Sequence, residues 1–239
     1  MPENSERDIY QYFKIKPYDN KGDKLILIFG GWGFGSLIYK PLVKQLFSQG
    51  YNVILYIPAN KLIAPGTPYT EVVRSVRLAV INARKRIQQA PSNIKDFASL
   101  GVSFGSGHAM EVTKEISEIK KVILISSFGD FADHIELWPK NWYFRRIIES
   151  QSTTPAESAK ILNQVGTTKQ LEKLMGKKVL LCYAKNDKMI HSHITDRLAM
   201  LLQQNNIDTK VIKIRGGHFA GIYGHLLFQR NHIKFIKDN

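Results

Sequence analysis

The sequence DFASLGVSFGSGHAMEVTKEI, residues 96–116, contains the most informative motif of the chain. A strand-like run, Asp96–Leu100, leads into Gly101-Val102-Ser103-Phe104-Gly105, and a helix-like run, Gly107–Ile116, follows. This is the strand, G-x-S-x-G, helix order in which a serine on a sharp turn exposes its hydroxyl at the edge of a sheet. The residues two positions before and after such a serine must be small, and both are glycine here. We therefore predict that Ser103 is a nucleophile; the alternative is a glycine turn with a capping serine.

Apolar runs alternate with helical patterns along the rest of the chain. Runs such as LILIF, VILI and KVLLCY are continuous, which is typical of strands buried on both faces of a parallel sheet. The predicted strands are Lys24–Phe29, Tyr51–Ile57, Asp96–Leu100, Lys121–Ser126, Lys178–Tyr183 and Thr209–Ile214, with Tyr10–Lys16 as a candidate antiparallel edge. The predicted helices are Pro41–Gln49, Thr70–Gln89, Gly107–Ile116, Ser192–Gln203 and about Ile222–Ile236. This alternation predicts an α/β fold with a doubly wound, mostly parallel sheet.

One stretch, from Ser127 to Gly176, has no good strand pattern. It predicts three short helices. The middle one begins with the capping box Thr154-Pro155-Ala156-Glu157, and the third begins at Thr167. An insertion of this size between strands suits a lid over one end of the sheet. We therefore expect a single domain over residues 1–239, with a helical lid insertion at about 128–177.

Composition narrows the function classes. The formal net charge of +14 over 239 residues suits nucleic acid, an anionic membrane or an acidic protein partner. Lys and Arg are spread along the chain without zinc-finger or RNA-binding signatures, so we expect no nucleic acid. No apolar run of about 18 residues exists, so we expect no stable membrane insertion. The only cysteine, Cys182, lies in an apolar run and suits a buried structural thiol. With no signal-peptide pattern, these features favour a cytoplasmic protein.

A serine nucleophile needs a base, and His218 is the best candidate. It lies in Arg215-Gly216-Gly217-His218-Phe219, directly after the last predicted strand, where glycines let a loop return to the serine. The alternative is a solvated loop histidine. The weaker candidates are the remaining histidines: His108, His134, His191, His193, His225 and His232.

The base in turn needs an acid to orient it, and Asp187 follows the fifth strand in Tyr183-Ala184-Lys185-Asn186-Asp187. A carboxylate there can accept the proton on the far imidazole nitrogen. The alternative is an ordinary turn aspartate, because turns favour Asp. Asp130, after the fourth strand, is the reserve candidate for the acid.

A glycine-rich loop, Phe29-Gly30-Gly31-Trp32-Gly33-Phe34-Gly35, follows the first core strand. Such a loop leaves backbone N–H groups available for a developing oxyanion, and two donors are needed. We predict the N–H groups of Trp32 and Phe104. The competing interpretation, a phosphate-binding turn, is disfavoured because the full G-x-G-x-x-G spacing and a Walker lysine are both missing.

These three motifs, each after a strand and in this order, resemble the α/β-hydrolase superfamily from about Lys24 to the end of the chain. The resemblance implies two-step acyl transfer on an ester or thioester, without a metal or cofactor. The chain departs from the usual motifs of the superfamily at two places, and both bear on its subfamily. The family's His-Gly-x-x tetrad is Gly30-Gly31-Trp32-Gly33 here, and Ile57-Pro58-Ala59-Asn60 replaces its usual Asp-x-x-Gly-x-Gly-x-Ser.

Within the superfamily, the Gly-Trp-Gly tripeptide, the size and the helical lid are similar to the pimeloyl-carrier-protein methyl ester esterases of biotin synthesis. That resemblance implies a carrier-bound acyl ester and an acidic acyl carrier protein as partner. The lid residues that match are basic and aromatic: Lys140, Arg145, Arg146, Trp138, Trp142, Tyr143 and Phe144. The alternative is an amphipathic lid helix with solvated charges.

Three other functions fit parts of the pattern. An acyltransferase would use the same fold and nucleophile, and a non-catalytic binding protein could retain the same turn. A basic binder of nucleic acid or of a membrane surface would use only the net charge.

Overall fold

The computed structural model describes residues 5–64, 66–127, 129, 150, 153–227 and 230–237. Its centre is a seven-stranded sheet in the order β1-β3-β2-β4-β5-β6-β7, with β1 antiparallel to β3 and every other neighbouring pair parallel. The strands are β1 Phe13–Tyr18, β2 Lys24–Phe29, β3 Tyr51–Pro58, β4 Asp96–Val102, β5 Ile119–Ile125, β6 Lys178–Ala184 and β7 Asp208–Ile214.

Helices cover both faces of this sheet. The α-helices are α1 Ser5–Tyr12, α2 Lys40–Ser48, α3 Asn60–Ile63, α4 Tyr69–Gln88, α5 Gly105–Glu115, α6 Pro155–Leu162, α7 Ser192–Gln204, α8 His218–Leu227 and α9 Arg230–Lys237. Short 3₁₀ segments occur at Ser36–Tyr39, Asn163–Val165 and Leu171–Leu174.

Two hydrophobic clusters, one on each face of the sheet, explain why the central strands are continuously apolar. Alternate residues of β2 divide between them: Leu25, Leu27 and Phe29 belong to one cluster, and Ile26 and Ile28 to the other. Every residue of β3 is buried. A strand covered on both faces needs apolar side chains at successive positions, which removes the period-two alternation of a half-exposed strand.

The structure confirms the predicted mostly parallel sheet. All six predicted core strands are present, with ends that differ by at most two residues. β1 is the expected antiparallel edge, but it begins at Phe13 rather than Tyr10, because residues 10–12 belong to α1. The helix α1 was not predicted, because its sequence is polar apart from a few residues. It forms against α4 with Ile9 and Tyr12 buried, so tertiary packing decides its structure.

Two helix predictions are also wrong. The last helix, predicted as continuous over about Ile222–Ile236, is divided into α8 and α9, and α8 begins earlier, at His218. The helix predicted to begin at Thr167 is only a 3₁₀ segment at Leu171–Leu174, preceded by Gln170 in a left-handed conformation with φ of 52°. Within the predicted lid insertion, α6 has the capping box on Thr154 and Glu157.

The parallel strands bring their carboxyl ends to one edge of the sheet, where ligands bind in open α/β folds. The glycine-rich loop follows β2, Ser103 follows β4, and Asp187 and His218 follow β6 and β7. In the part of the chain that the structure describes, no helix has the length and apolar character needed to cross a membrane.

Candidate active site

Ser103 lies on a strained turn between β4 and α5. Its φ is 49°, a left-handed value that is uncommon for a residue other than glycine. The flanking glycines are required by contact: a Cβ on Gly101 would lie 2.4 Å from the Cα of Ser106, and one on Gly105 would lie 2.1 Å from the carbonyl oxygen of Phe29. The sequence GVSFG therefore produces the predicted turn because only glycine fits beside it.

Hydrogen bonds fix this turn to the neighbouring strand. The N–H of Ser103 donates to the carbonyl of Ile125 at 2.8 Å, and the N–H and hydroxyl of Ser106 donate to the carbonyl of Ser103 at 2.9 and 2.5 Å. These bonds satisfy the backbone N–H and carbonyl of Ser103, and its hydroxyl faces His218.

His218 is the first residue of α8, rather than a loop residue as its flanking glycines suggested. Gly216, with φ of 125°, turns the chain out of β7 toward the helix. Gly221 lets α8 approach β6 closely, since a Cβ there would lie 2.7 Å from the Cβ of Ala184. In this position the Nε2 atom of His218 lies 3.2 Å from the Oγ atom of Ser103.

Asp187 completes a hydrogen-bonded chain of three side chains. Its Oδ2 atom lies 2.8 Å from Nδ1 of His218, and its Oδ1 atom accepts the N–H groups of Met189 and Ile190 at 2.9 and 2.8 Å. Because an ionised carboxylate only accepts, Nδ1 must carry the imidazole proton. The unprotonated Nε2 then faces the Ser103 hydroxyl. All three side chains are buried.

The glycine-rich loop lies beside the turn that carries Ser103. The N–H of Gly30 donates to the carbonyl of Tyr56, and that of Gly31 donates to the Tyr39 hydroxyl, both at 2.8 Å. Burial raises the pKa of this hydroxyl, which keeps it protonated. The Trp32 ring stacks on the Phe104 ring with centroids 4.7 Å apart. The two predicted oxyanion residues are therefore in contact, and their role as N–H donors remains a prediction.

His108, on α5 behind the turn, supports Phe104 from below. Its Nε2 lies 3.0 Å from the Ser75 hydroxyl, its Nδ1 lies 3.4 Å from the Phe104 carbonyl, and it packs edge-on against Phe13. Complete burial lowers its pKa to about 4. The imidazole is therefore neutral, as a structural core histidine should be.

The remaining predicted residues have different locations. His191 and His193 lie at the start of α7, and His225 and His232 lie on α8 and α9 beside buried Cys182. Asp130 and His134, together with the lid residues Trp138, Lys140, Trp142, Tyr143, Phe144, Arg145 and Arg146, lie outside the described residues.

Two contributions were not predicted. Tyr39 anchors Gly31, and the amides of Met189 and Ile190 hold Asp187. No sequence motif marks a tyrosine hydroxyl that accepts a loop N–H group, or backbone N–H groups that donate to a carboxylate. The sequence therefore could not have indicated these contacts.

No family model and no curated protein sequence matches this chain. Solved structures, in contrast, are similar to it over almost its whole length. An esterase of Pyrococcus furiosus aligns with a TM-score of 0.63 and 13% identity over 95% of this chain and 89% of its own. An esterase of Exiguobacterium antarcticum aligns at 0.62 and 16% over 95% and 96%.

A third structure, an alpha/beta hydrolase enzyme from the metagenome of lagoon sediments at Mar Chica, Morocco, aligns with a TM-score of 0.62 and 18% identity over 94% of both chains. Together with the strand order and the position of each motif, these likenesses confirm the fold that the motifs predicted. This chain has the α/β-hydrolase fold.

Proposed function

We propose that the protein is a serine hydrolase that cleaves a carboxylic ester or thioester through an acyl-enzyme intermediate. The observation that carries this proposal is the continuous hydrogen-bonded chain from Ser103 Oγ to His218 and from His218 to Asp187, at 3.2 and 2.8 Å. A serine, a base facing it and an acid orienting the base are the parts that nucleophilic acyl transfer needs.

In the first step, Nε2 of His218 takes the hydroxyl proton as Oγ of Ser103 bonds to the substrate carbonyl carbon. The N–H groups of Trp32 and Phe104 are the proposed donors to the oxyanion. His218 then gives its proton to the leaving alcohol or thiol as that bond breaks. In the second step water attacks the acyl-enzyme, His218 takes the water proton, and it returns that proton to Ser103 as the acid leaves.

The surroundings of the base favour an apolar acyl or leaving group. Phe219 directly follows His218, and its ring centroid lies 5.6 Å from the imidazole. It contacts Phe34 edge-on at 5.8 Å, and Phe34 also contacts Tyr223 at 6.4 Å. The side chains of Phe219 and Tyr223 are 52% and 45% exposed, so aromatic surface is available beside the nucleophile.

Esterases among the similar structures support ester cleavage as the first activity to test. An acylaminoacyl peptidase also aligns, with a TM-score of 0.67 and 11% identity over 98% of this chain but 43% of its own. Amide cleavage is therefore the competing reaction on this fold.

The finer proposal is a carrier-bound acyl ester, with an acidic acyl carrier protein as partner. Its support is the net charge of +14 and the resemblance of the lid, whose matching residues lie outside the described part of the chain. Nothing among the described contacts selects a pimeloyl chain or a pathway.

A fluorophosphonate probe tests the nucleophile directly. We expect it to label the wild type and not Ser103→Ala, with both melting at similar temperatures. Ser126→Ala is a matched control, because Ser126 is buried at the end of the adjacent strand β5 with nearly the same φ, 50°. Labelling that survives in Ser103→Ala, or is lost equally in the control, would contradict the proposal.

A substrate panel tests the reaction class. We expect turnover of p-nitrophenyl esters and acyl thioesters, and much slower turnover of an acyl-aminoacyl anilide. An added alcohol or thiol separates hydrolysis from acyltransfer, because a transferase would form the new ester or thioester. For the carrier proposal, the carrier-bound ester should outperform the free ester at low salt and lose that advantage at high salt.

A further inference from the structure

Cys182, His225 and His232 form a second cluster of reactive side chains on the face of the sheet covered by α8 and α9. Cys182 comes from β6, His225 from α8 and His232 from α9. Their potential ligand atoms all lie within 4.8 Å of one another, and the Cys182 sulfur lies 3.2 Å from Nε2 of His232. The three residues are 0%, 3% and 2% exposed. None of them belongs to the site around Ser103.

The orientation of His225 is the second observation. Its ring makes a hydrogen bond to the backbone carbonyl of Tyr183, and its Nε2 is buried without a hydrogen-bond partner among the described residues. The bond to Tyr183 therefore belongs to Nδ1–H, which leaves the lone pair on Nε2 as the ligand that this ring can offer. A buried polar atom without a partner is costly in a packed protein.

This is also the arrangement that a metal-binding histidine requires, in which the non-ligating nitrogen donates to a carbonyl that fixes the ring. Around one Zn²⁺ ion, bonds of about 2.0 Å to nitrogen and 2.3 Å to sulfur place neighbouring ligand atoms about 3.3–3.6 Å apart. The separation of 3.2 Å between Cys182 and His232 already matches this, and no separation exceeds it by more than about 1.5 Å, which side-chain rotations can close.

We propose that Cys182, His225 and His232 bind a single thiophilic d¹⁰ metal ion, Zn²⁺ or Cu⁺. A thiolate and two imidazoles suit both ions. On binding, the Cys182 sulfur and the two Nε2 atoms bond to the ion, and the thiol proton passes to solvent. No oxidation or reduction takes place.

Such an ion would add metal bonds between three elements that already contact one another through the His225–Tyr183 hydrogen bond and the Cys182–His232 contact. The strand β6 leads to Asp187, and α8 begins at His218, so the ion would connect the strand that precedes Asp187 with the helix that carries His218. The competing explanation is a thiol–imidazole hydrogen bond between Cys182 and His232 with a neutral His225 packed beside it.

Cobalt spectroscopy distinguishes these two explanations. The full chain is treated with a chelator, dialysed and titrated with Co²⁺. We expect one equivalent to bind with a thiolate-to-Co²⁺ charge-transfer band, and Zn²⁺ to displace it. A parallel anaerobic titration uses Cu⁺ against a colorimetric competitor. Free metal at about 100 times Kd should raise Tm by about 5–10 °C.

Variants assign the ligands. Cys182→Ser should abolish the charge-transfer band, and His225→Gln or His232→Gln should weaken binding at least ~10-fold. The matched control is the double variant His191→Gln/His193→Gln, because these two rings lie 5.6 Å apart and are the rival surface histidine pair. It should bind as the wild type does. Thermal melting shows which variants remain folded.

The wild-type titration remains decisive even if the cluster variants do not fold. Binding of either ion through the Cys182 thiolate supports the site. Failure of Zn²⁺, Co²⁺ and Cu⁺ to bind would overturn it. A band that persists in Cys182→Ser, or binding that disappears only in the surface-pair control, would also overturn it.

Discussion

Replacing Asp187 by Asn separates the chemistry of the site from its folding. The Oδ1 atom of Asp187 accepts two backbone N–H groups, from Met189 and Ile190, while Oδ2 faces Nδ1 of His218. An asparagine must keep its single oxygen on the two backbone donors, since its NH₂ group would leave both of them unsatisfied. The NH₂ group therefore replaces Oδ2 and points at His218.

Two donors cannot face each other, so His218 must change tautomer and carry its proton on Nε2. That proton would point at the Ser103 hydroxyl 3.2 Å away, and Nε2 could no longer accept the serine proton. We expect kcat for a p-nitrophenyl ester to fall by about 10⁴-fold, the effect of the wrong tautomer in a serine triad. Both backbone hydrogen bonds remain, so Tm should change little.

Asp187→Ala is the comparison for this experiment. It removes the acceptor of two amides, and each unsatisfied buried donor costs about 1–3 kcal/mol. Activity and stability should therefore fall together in the alanine variant, whereas the asparagine variant should lose activity alone. An Asp187→Asn variant that retains kcat within about tenfold of the wild type would refute the tautomer argument.

Three further predictions concern the frame of the site. Gly105→Ala should cost at least ~3 kcal/mol in urea denaturation, because its Cβ overlaps the Phe29 carbonyl, whereas Gly35→Ala, with no atom within 4 Å, should cost less than about 0.5 kcal/mol. The pKa of His108 is about 4 in the folded protein and about 6.5 in the unfolded chain, so His108 is neutral when folded. The neutral ring therefore contributes about 3 kcal/mol to the free energy of unfolding above pH 6.5, and this contribution is lost as the pH falls toward 4. His108→Gln should therefore flatten the pH dependence of unfolding free energy between pH 7.5 and 4.5, and an unchanged slope would contradict this. Thr154→Ala should cost about 1 kcal/mol in the same denaturation assay, because it removes the capping box of α6; no loss would show that this cap is not coupled to global unfolding.

The sequence was sufficient to predict the main features of the fold and the proximity of the three candidate side chains. Ser103, Asp187 and His218 each follow a parallel strand, and parallel strands end at one edge. Their positions could therefore be inferred from local patterns alone. The left-handed turn at Ser103 also has a local cause, the flanking glycines.

Features that depend on packing between distant elements could not be predicted. The helix α1 forms because Ile9 and Tyr12 bury against α4. The meeting of Cys182 with His225 and His232 depends on how α8 and α9 lie on β6. Neither has a spacing or periodicity that the sequence displays, so these three residues were interpreted separately as a structural thiol and as weaker candidates for the base.

The candidate base, His218, lies on a helix rather than in a loop. His218 opens α8, and two glycines farther along the same helix meet the sheet, Gly221 against Ala184 and Gly224 against the Ile214 side chain. A methyl group at Gly221 would clash with Ala184, so we expect α8 to shift and the His218 imidazole to move away from the Ser103 hydroxyl. Substitutions at Gly221 and Gly224 should therefore change turnover although neither residue contacts the substrate. The loss of activity that they cause would measure how strongly the proposed reaction depends on the packing of α8 against the sheet.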